Sequence, residues 1–226
     1  MSNLEKEQPA VFLRDGVRNL DRDAIEHYGM QGIMLMENAA RGAVDVILDA
    51  YSPDELHNII IVCGAGNNGG DGYAIARLLH NRECSVTIAP IAPPTAPDAK
   101  TNANIAKTIG IPFVQYRADL FEHATLIIDA VFGTGIDQEI RGTALSIIAS
   151  LQQCSAKIIS IDIPSGLDCD TGQPLGIAVK ADLTITFVGF KHGFMQDSAT
   201  DYVGNIVVVD IGCPKELIKK YALPIS

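Results

Sequence analysis

Ile59-Ile60-Ile61-Val62-Cys63-Gly64-Ala65-Gly66-Asn67-Asn68-Gly69-Gly70-Asp71-Gly72 decides the fold. The run Ile59 to Cys63 is apolar and largely β-branched, and reads as a strand buried on both faces. The glycines read as a tight turn, and the segment from Tyr73 to His80 as a helix. A strand, a glycine-rich turn and a helix in that order bring free backbone N–H groups close to a phosphorylated ligand. Gly64, Gly66 and Gly69 satisfy the G-x-G-x-x-G spacing of dinucleotide-binding folds. Such folds place an acid after the next strand to hold a ribose. Here that strand, Ser85 to Ala89, runs into Pro90. A Walker A loop is excluded, because no Gly-Lys-Ser/Thr follows. An aspartate in such a turn repels a phosphate unless it caps the helix or a cation intervenes.

Outward from this stretch, short apolar runs alternate with helix-like segments. Strands are predicted at 59–63, 85–89, 112–115, 125–129, 157–161, 183–187 and 206–210. Helices are predicted at 72–81, 97–109, 142–153 and 214–221. Because most strands are apolar throughout, the fold class is α/β, with a mainly parallel sheet covered by helices on each side. No helix is evident between the last two strands, so they are expected to join as an antiparallel edge. Residues 1–19 are expected to form a tail, with one domain over 20–226. Asp21 is expected to cap a helix from Arg22 to Met30. A longer helix from Met34 to Tyr51 carries Met36, Ala39, Ala40, Ala43, Val46 and Ile47 at helical spacing. Met30, Met34 and Met36 read as core packing.

With 226 residues, 47% hydrophobic and 19% charged, the chain has the composition of a compact globule. A net charge of −10 argues against a nucleic-acid backbone as main partner. Five cysteines without C-x-x-C spacing suggest neither a disulfide framework nor a zinc site. A reducing, cytoplasmic setting follows as an expectation. Met1 to Ala10 has no apolar core of a signal peptide, and no run reaches the length of a membrane span.

Open parallel sheets bind ligands beyond the carboxyl ends of their strands. Besides the glycine turn, Asp129 to Gly135 and Asp162 to Asp168 follow strands. The fold gathers all three at one edge, so Asn67, Asn68, Asp71, Asp129, Asp162 and Ser165 are expected to converge. Oxygen donors of that kind suit a hard cation and not zinc. Lys191 follows the strand ending at Phe187; it could pair with a phosphate, pair with a pocket carboxylate, or stand solvated.

Five ordered stretches carry a resemblance over nearly the whole chain from about residue 20. They are Leu35-Met36-Glu37-Asn38-Ala39-Ala40-Arg41, Gly66 to Gly72, Asp129-Ala130-Val131-Phe132-Gly133-Thr134-Gly135, Asp162-Ile163-Pro164-Ser165-Gly166-Leu167-Asp168 and Asp210-Ile211-Gly212. The chain resembles the NAD(P)H-hydrate epimerases, the YjeF N-terminal domain family. The resemblance implies a Rossmann-like three-layer α/β/α sandwich, a homodimer, and epimerisation of the R and S forms of NADH or NADPH hydrated at C6 of the nicotinamide ring. It implies that Asn67, Asn68, Gly69, Gly70 and Asp71 bind the substrate, together with Gly133, Thr134, Gly135, Ile136, Asp137, Gln138, Glu139 and Asp162. It further implies that Asn68, Asp129 and Ser165 hold a potassium ion (K+). A separate dehydratase is the expected functional partner, since the chain ends at Ser226. Inverting C6 needs a group that gives and takes a proton, and Asp162 is the candidate, with a carboxyl expected to be raised by partial desolvation. Two readings from other classes stay open: a non-catalytic nucleotide-sensing or interaction module, and an NAD-dependent oxidoreductase built on Gly64, Gly66 and Gly69.

Overall fold

The computed structural model describes residues 9–224. Its centre is a six-stranded, wholly parallel sheet: β2 (Ile59–Cys63), β3 (Val86–Pro90), β4 (Leu126–Ala130), β5 (Lys157–Ile161), β6 (Leu183–Phe187) and β8 (Asn205–Val209). The spatial order is β3-β2-β4-β5-β6-β8. The chain leaves β2 toward β3 and returns to the other side of β2 as β4, so the switch point of the sheet lies between β2 and β4. Ligand crevices of open α/β sheets form at such points.

Period-two alternation divides β2 between two cores. Ile59, Ile61 and Cys63 face a layer of α1 (Arg14–Glu26), α2 (Gly32–Ala50), α3 (Asn67–His80) and α4 (Pro97–Thr108), with α7 (Lys215–Tyr221) beside α1. Ile60 and Val62 face α5 (Gly142–Leu151). A third apolar cluster, with Ile163, Leu167, Phe194 and Val203, lies under the segments around β6.

Four expectations are corrected. The helix expected at 72–81 begins at Asn67, because its glycines are packing residues and not a loop. A Cβ on Gly69 would fall 1.9 Å from the carbonyl oxygen of Gly64, and one on Gly64 would fall 1.9 Å from that of Val131. The first turn of α3 is thereby pressed onto the ends of β2 and β4. The stretch 112–115 is no strand: it makes a single bridge, Phe113 to Ile88, and Pro112 has no N–H to extend a ladder. The last two sheet strands, β6 and β8, pair parallel. Between them the chain crosses over through β7 (Phe190–Lys191), two 3-10 turns and the short α6 (Thr200–Val203), enough length to return to the strand's starting end.

The fourth correction concerns the N-terminus. Residues 1–8 of the expected tail 1–19 lie outside the described residues. From there on the segment is built into the fold: β1 (Val11–Phe12) pairs parallel with β7, and α1 begins at Arg14, so Asp21 lies inside a helix and caps nothing. Val17, Leu20 and Ala24 pack inward at helical spacing. Asp23 then accepts hydrogen bonds from Lys220 (2.8 Å) and from the Tyr221 hydroxyl, joining α1 to α7. Met36 is buried as expected, but Met34 is 50% exposed. All five cysteines are free, and among the described residues no helix is long and apolar enough to cross a membrane.

Gly64→Ala should cost about 3 kcal/mol, because its Cβ would meet the backbone of Val131, which has no flexible end to give way. Gly135→Ala, whose Cβ would meet nothing within 4 Å, should change stability by less than about 0.5 kcal/mol. Urea unfolding of both variants measures the difference, and equal midpoints would refute the packing role given to Gly64.

Candidate active site

Asp162 follows β5 directly, with a left-handed backbone at φ 67°. Residues with side chains seldom adopt that conformation, and those that do concentrate at functional sites. Hydrogen bonds hold it in place: Asp162 N–H donates to the carbonyl of Ile185 (2.7 Å), and Ile163 N–H to that of Ile161 (2.9 Å). The carboxylate Oδ1 meets Lys191 Nζ at 2.8 Å. Oδ2 accepts weakly from the N–H of Thr134, at 3.4 Å.

Lys191 is 1% exposed. Its ammonium also donates to Thr186 Oγ1 (2.9 Å) and to the carbonyl of Phe187 (3.2 Å). Three acceptors use its three hydrogens. Of the alternatives open from sequence, Lys191 is therefore the partner of a pocket carboxylate.

Asn68 occupies the first turn of α3, and both polar atoms of its side chain are buried without a hydrogen-bond partner among the described residues. A Cβ on Gly133 would lie 3.0 Å from Asp162 Oδ2 and 3.4 Å from Asn68 Cβ. Gly133 is thus a bare floor that both side chains overlook. Leaving a buried amide unpaired costs about 1–3 kcal/mol, which marks a place for a group from outside the chain.

Asp129, at β4, is fully buried. Its Oδ1 accepts from the Ser165 hydroxyl (2.5 Å) and, more weakly, from Val131 N–H (3.3 Å). Its Oδ2 accepts from the Ser160 hydroxyl (2.8 Å) and Ser165 N–H (2.9 Å). Ser165 Oγ in turn accepts from Phe132 N–H (2.9 Å). Burial raises the Asp129 carboxyl, and these hydrogen bonds, with no cationic side chain among the causes, pull it back. Among the described residues no three His, Cys, Asp or Glu side chains cluster around a metal position. A cation here would draw on Asp129, Ser165 and the unpaired oxygen of Asn68, an all-oxygen set that suits a hard cation and not zinc.

Two more acids face Asp162. Asp71, one turn beyond Asn68, is pushed well above the usual carboxylate range, by burial first and then by Asp162 and Asp21. Asp21 of α1 is exposed as a residue, yet its carboxyl is raised to about 6. The surrounding protein is the larger cause and Asp162 the second, while Lys191 pulls the other way.

Arg14, at the start of α1, ties two site loops together. Its Nε donates to the carbonyl of Thr134 (2.9 Å), and its guanidinium pairs with Asp168 at 2.5 Å. Arg18 donates to the carbonyl of Gly135 (3.1 Å). The tail reading hid Arg14 and Arg18, and the cap reading hid the place of Asp21 in the cleft. Their spacing of four and then three residues was the available signal, since it places them along one helical face.

The structure therefore brings Asn68, Asp71, Gly133, Thr134 and Asp162 together. Gly69 and Gly70 lie in the packed first turns of α3, and Asn67 stands exposed at the rim. Asp129 and Ser165 form one buried hydrogen-bonded unit, joined to the Gly133 loop through Phe132. Ile136 packs against the second core; Asp137 and Gln138 are exposed, and Glu139 pairs with Arg141 (3.1 Å). Of that loop, Gly133 and Thr134 are the residues found against Asp162. The remaining motifs are structural: Asn38 donates to the carbonyl of Ile211 (2.9 Å), and Glu37 pairs with Arg41 and Arg77.

Residues 32–193 match the family described as YjeF-related protein N-terminus. An NAD(P)H-hydrate epimerase of Limosilactobacillus reuteri is 41% identical over 202 residues, covering 88% of this chain and 94% of that protein. One from Pirellula staleyi is 37% identical over 220 residues, covering 93% and 96%. A bifunctional NAD(P)H-hydrate repair enzyme of Thermanaerovibrio acidaminovorans is 37% identical over 215 residues, 90% of this chain and 41% of that protein. The solved yeast protein YNL200c superposes with a TM-score of 0.79 over 96% of this chain and 95% of its own, at 18% identity, and so shares the fold.

The acid cluster has a measurable signature. A carboxyl raised on folding holds its proton longer in the native state, so its contribution to stability falls as pH rises from about 4 toward 6. Asp21→Asn should thus gain stability relative to the parent between pH 4 and 7, and Asp162→Asn should lower the Asp21 titration point. Urea unfolding across pH and carboxyl NMR check the two statements. An Asp21 titration unmoved by Asp162→Asn would show that the two acids do not share a cleft.

Proposed function

The chain belongs to the family of YjeF-related N-terminal domains; as an NAD(P)H-hydrate epimerase it interconverts the R and S forms of hydrated NADH and NADPH, and we propose that it does so at Asp162. The observation that carries this assignment is the Asp162 carboxylate itself. It is locked by a buried lysine on one oxygen and turns the other toward Gly133 and the unpaired amide of Asn68.

Hydrated nicotinamide bears a hydroxyl on C6, next to the ring nitrogen. Protonation of that hydroxyl lets water leave and creates an N1=C6 iminium. Attack by water on the opposite face, with loss of one proton, restores the hydrate with inverted configuration. Atoms and charge balance, no electron is transferred, and the nucleotide is substrate and not cofactor. By microscopic reversibility, a carboxyl that gives its proton to the hydroxyl departing from its own face in one direction takes a proton from water attacking that face in the other, and the proton lost on the opposite face passes to solvent water. Lys191 fixes where that carboxyl stands. Arg14 and Arg18 hold the carbonyls of Thr134 and Gly135, so the loop above the substrate keeps its shape. Asn67, Asn68, Gly69, Gly70 and Asp71 form the α3 side of the substrate site, and Gly133 to Glu139 the opposing loop.

Potassium belongs to the same proposal. Asn68, Asp129 and Ser165 would hold it, and a bound cation supplies positive charge that orders the loops around an anionic substrate. We further propose a homodimer formed through the apolar side chains around the α1–α2 turn, where Ile25, Tyr28 and Met34 are 45%, 51% and 50% exposed. A cytoplasmic setting, supported by five free cysteines, and a dehydratase as functional partner complete it; the bifunctional relative supports that pairing.

The test supplies R-form NADH hydrate and an S-specific dehydratase, then follows the return of NADH absorbance. The parent should accelerate recovery, and Asp162→Asn should lower kcat by a factor of about 100 or more with nucleotide binding retained. Parent activity at the spontaneous rate, with binding intact, would favour the nucleotide-sensing reading. Asn68→Ala should raise the potassium concentration needed for half-maximal activity about tenfold; a parent indifferent to potassium removes that part. In sedimentation, Met34→Glu should shift the protein from dimer to monomer, and a monomeric parent would reject the dimer.

A further inference from the structure

A cavity of about 620 Å³ opens beyond the end of β3, apart from the cleft around Asp162. Prolines 90, 93 and 94 form one wall, and Tyr73, Phe113 and Tyr116 supply aromatic rings. The rings of Tyr73 and Phe113 are stacked at 6.1 Å, and Lys107 Nζ stands 5.3 Å from the centroid of Phe113. Tyr73 is fully buried, and its hydroxyl has no hydrogen-bond partner among the described residues. Among the described residues no carboxylate lines the cavity, and Lys107 is its one charged lining residue. In a chain of net charge −10, that selects for an electron-rich or anionic guest with a flat apolar body.

Position narrows the guest further. The loop after β3 is tied to the glycine turn: Thr95 donates through its N–H (2.8 Å) and its hydroxyl (3.0 Å) to the carbonyl of Ala65. Along the sheet, β3 stands three strands from β5, about 14 Å at ordinary strand spacing. The cavity and Asp162 thus flank the switch point from opposite sides, with the first turn of α3 between them. That is how a dinucleotide crosses an open α/β sheet, one base on each side and its pyrophosphate at a helix N-terminus.

We propose that this cavity seats the adenosine end of the substrate and admits a 2′-phosphate there. The proposal rests on the reading of Asp162 as the nicotinamide end. An acid after β3 would select a free 2′-hydroxyl. Here β3 ends at Pro90, and Lys107 at the cavity offers a cation for the extra phosphate.

Calorimetry with AMP, adenosine 2′,5′-bisphosphate and intact NADPH tests this on the parent, Ala92→Trp and Lys107→Glu. Ala92 is an exposed lining residue, so a tryptophan there can fill the cavity without disturbing a core. It should weaken all three ligands by at least about tenfold. Lys107→Glu should weaken the bisphosphate about tenfold more than AMP. Unchanged AMP binding in Ala92→Trp, with the variant folded, overturns the proposal. Loss of AMP with NADPH unaffected also overturns it, because the cavity would then serve a free nucleotide. Equal losses of AMP and bisphosphate in Lys107→Glu remove the 2′-phosphate assignment. Failure of hydrate turnover by the parent would instead reject the reading of Asp162, and leaves these binding outcomes to decide the cavity by themselves.

Discussion

A fully buried ammonium is the constraint on which the site depends. Lys191 has left water entirely, and a charge in that position is tolerable only with its hydrogens matched and a counter-charge at contact. Asp162, Thr186 and Phe187 meet that requirement together, and none can move without stranding the charge. The left-handed turn at Asp162 follows from it, since the turn places the carboxylate against the lysine. So does the place of the N-terminal strand. Phe12 is the register partner of Lys191, so β1 fixes the backbone that carries the ammonium. The short β1–β7 pair is a small structure with a large consequence, because it joins Val11 and Phe12 to the edge of the sheet that carries Asp162.

From β1 the chain runs directly into α1, and Arg14 and Arg18 extend the same logic to the loops. Their hydrogen bonds end on backbone carbonyls of residues 134 and 135 and on Asp168. The glycine turn contributes from the other side, where α3 is pressed onto β2 and β4 too closely for any side chain at Gly64 or Gly69. The two faces of the cleft thus come from opposite causes. One is set by a buried charge and its obligations, the other by the absence of side chains.

How much of this was legible follows from which signals are local. The central strands were readable because burial on both faces writes an unbroken apolar run, as in β2 and β5. The convergence of Asp71 and Asp162 was readable because parallel strands deliver their carboxyl ends to one edge. Four things were not. Glycines that permit close packing look the same in sequence as glycines that make a loop, so the first turn of α3 was missed. The parallel pairing of β6 with β8 depends on a crossover of irregular turns that has no periodicity. The role of Arg14, Arg18 and Asp21 depends on partners more than a hundred residues away, or on a helix whose polar face resembles a solvated one. Lys191 carried three readings, and only its burial separates them.

The distribution of charge gives the cleft a chemical direction. Departure of water from C6 places positive charge on the nicotinamide ring, so the intermediate differs from the hydrate by a cation. Asp21 and Asp71 stand beside Asp162, and burial is the larger cause of their raised carboxyls, with the charge of Asp162 the second. On the proposed reading, the ionised carboxylate of Asp162 beside the ring favours the cationic intermediate over the neutral hydrate. At the far side of the switch point, among the described residues, no acid lines the cavity and Lys107 is its one charge. A single ligand with a ring that becomes cationic at one end and carries phosphate toward the other matches that polarity.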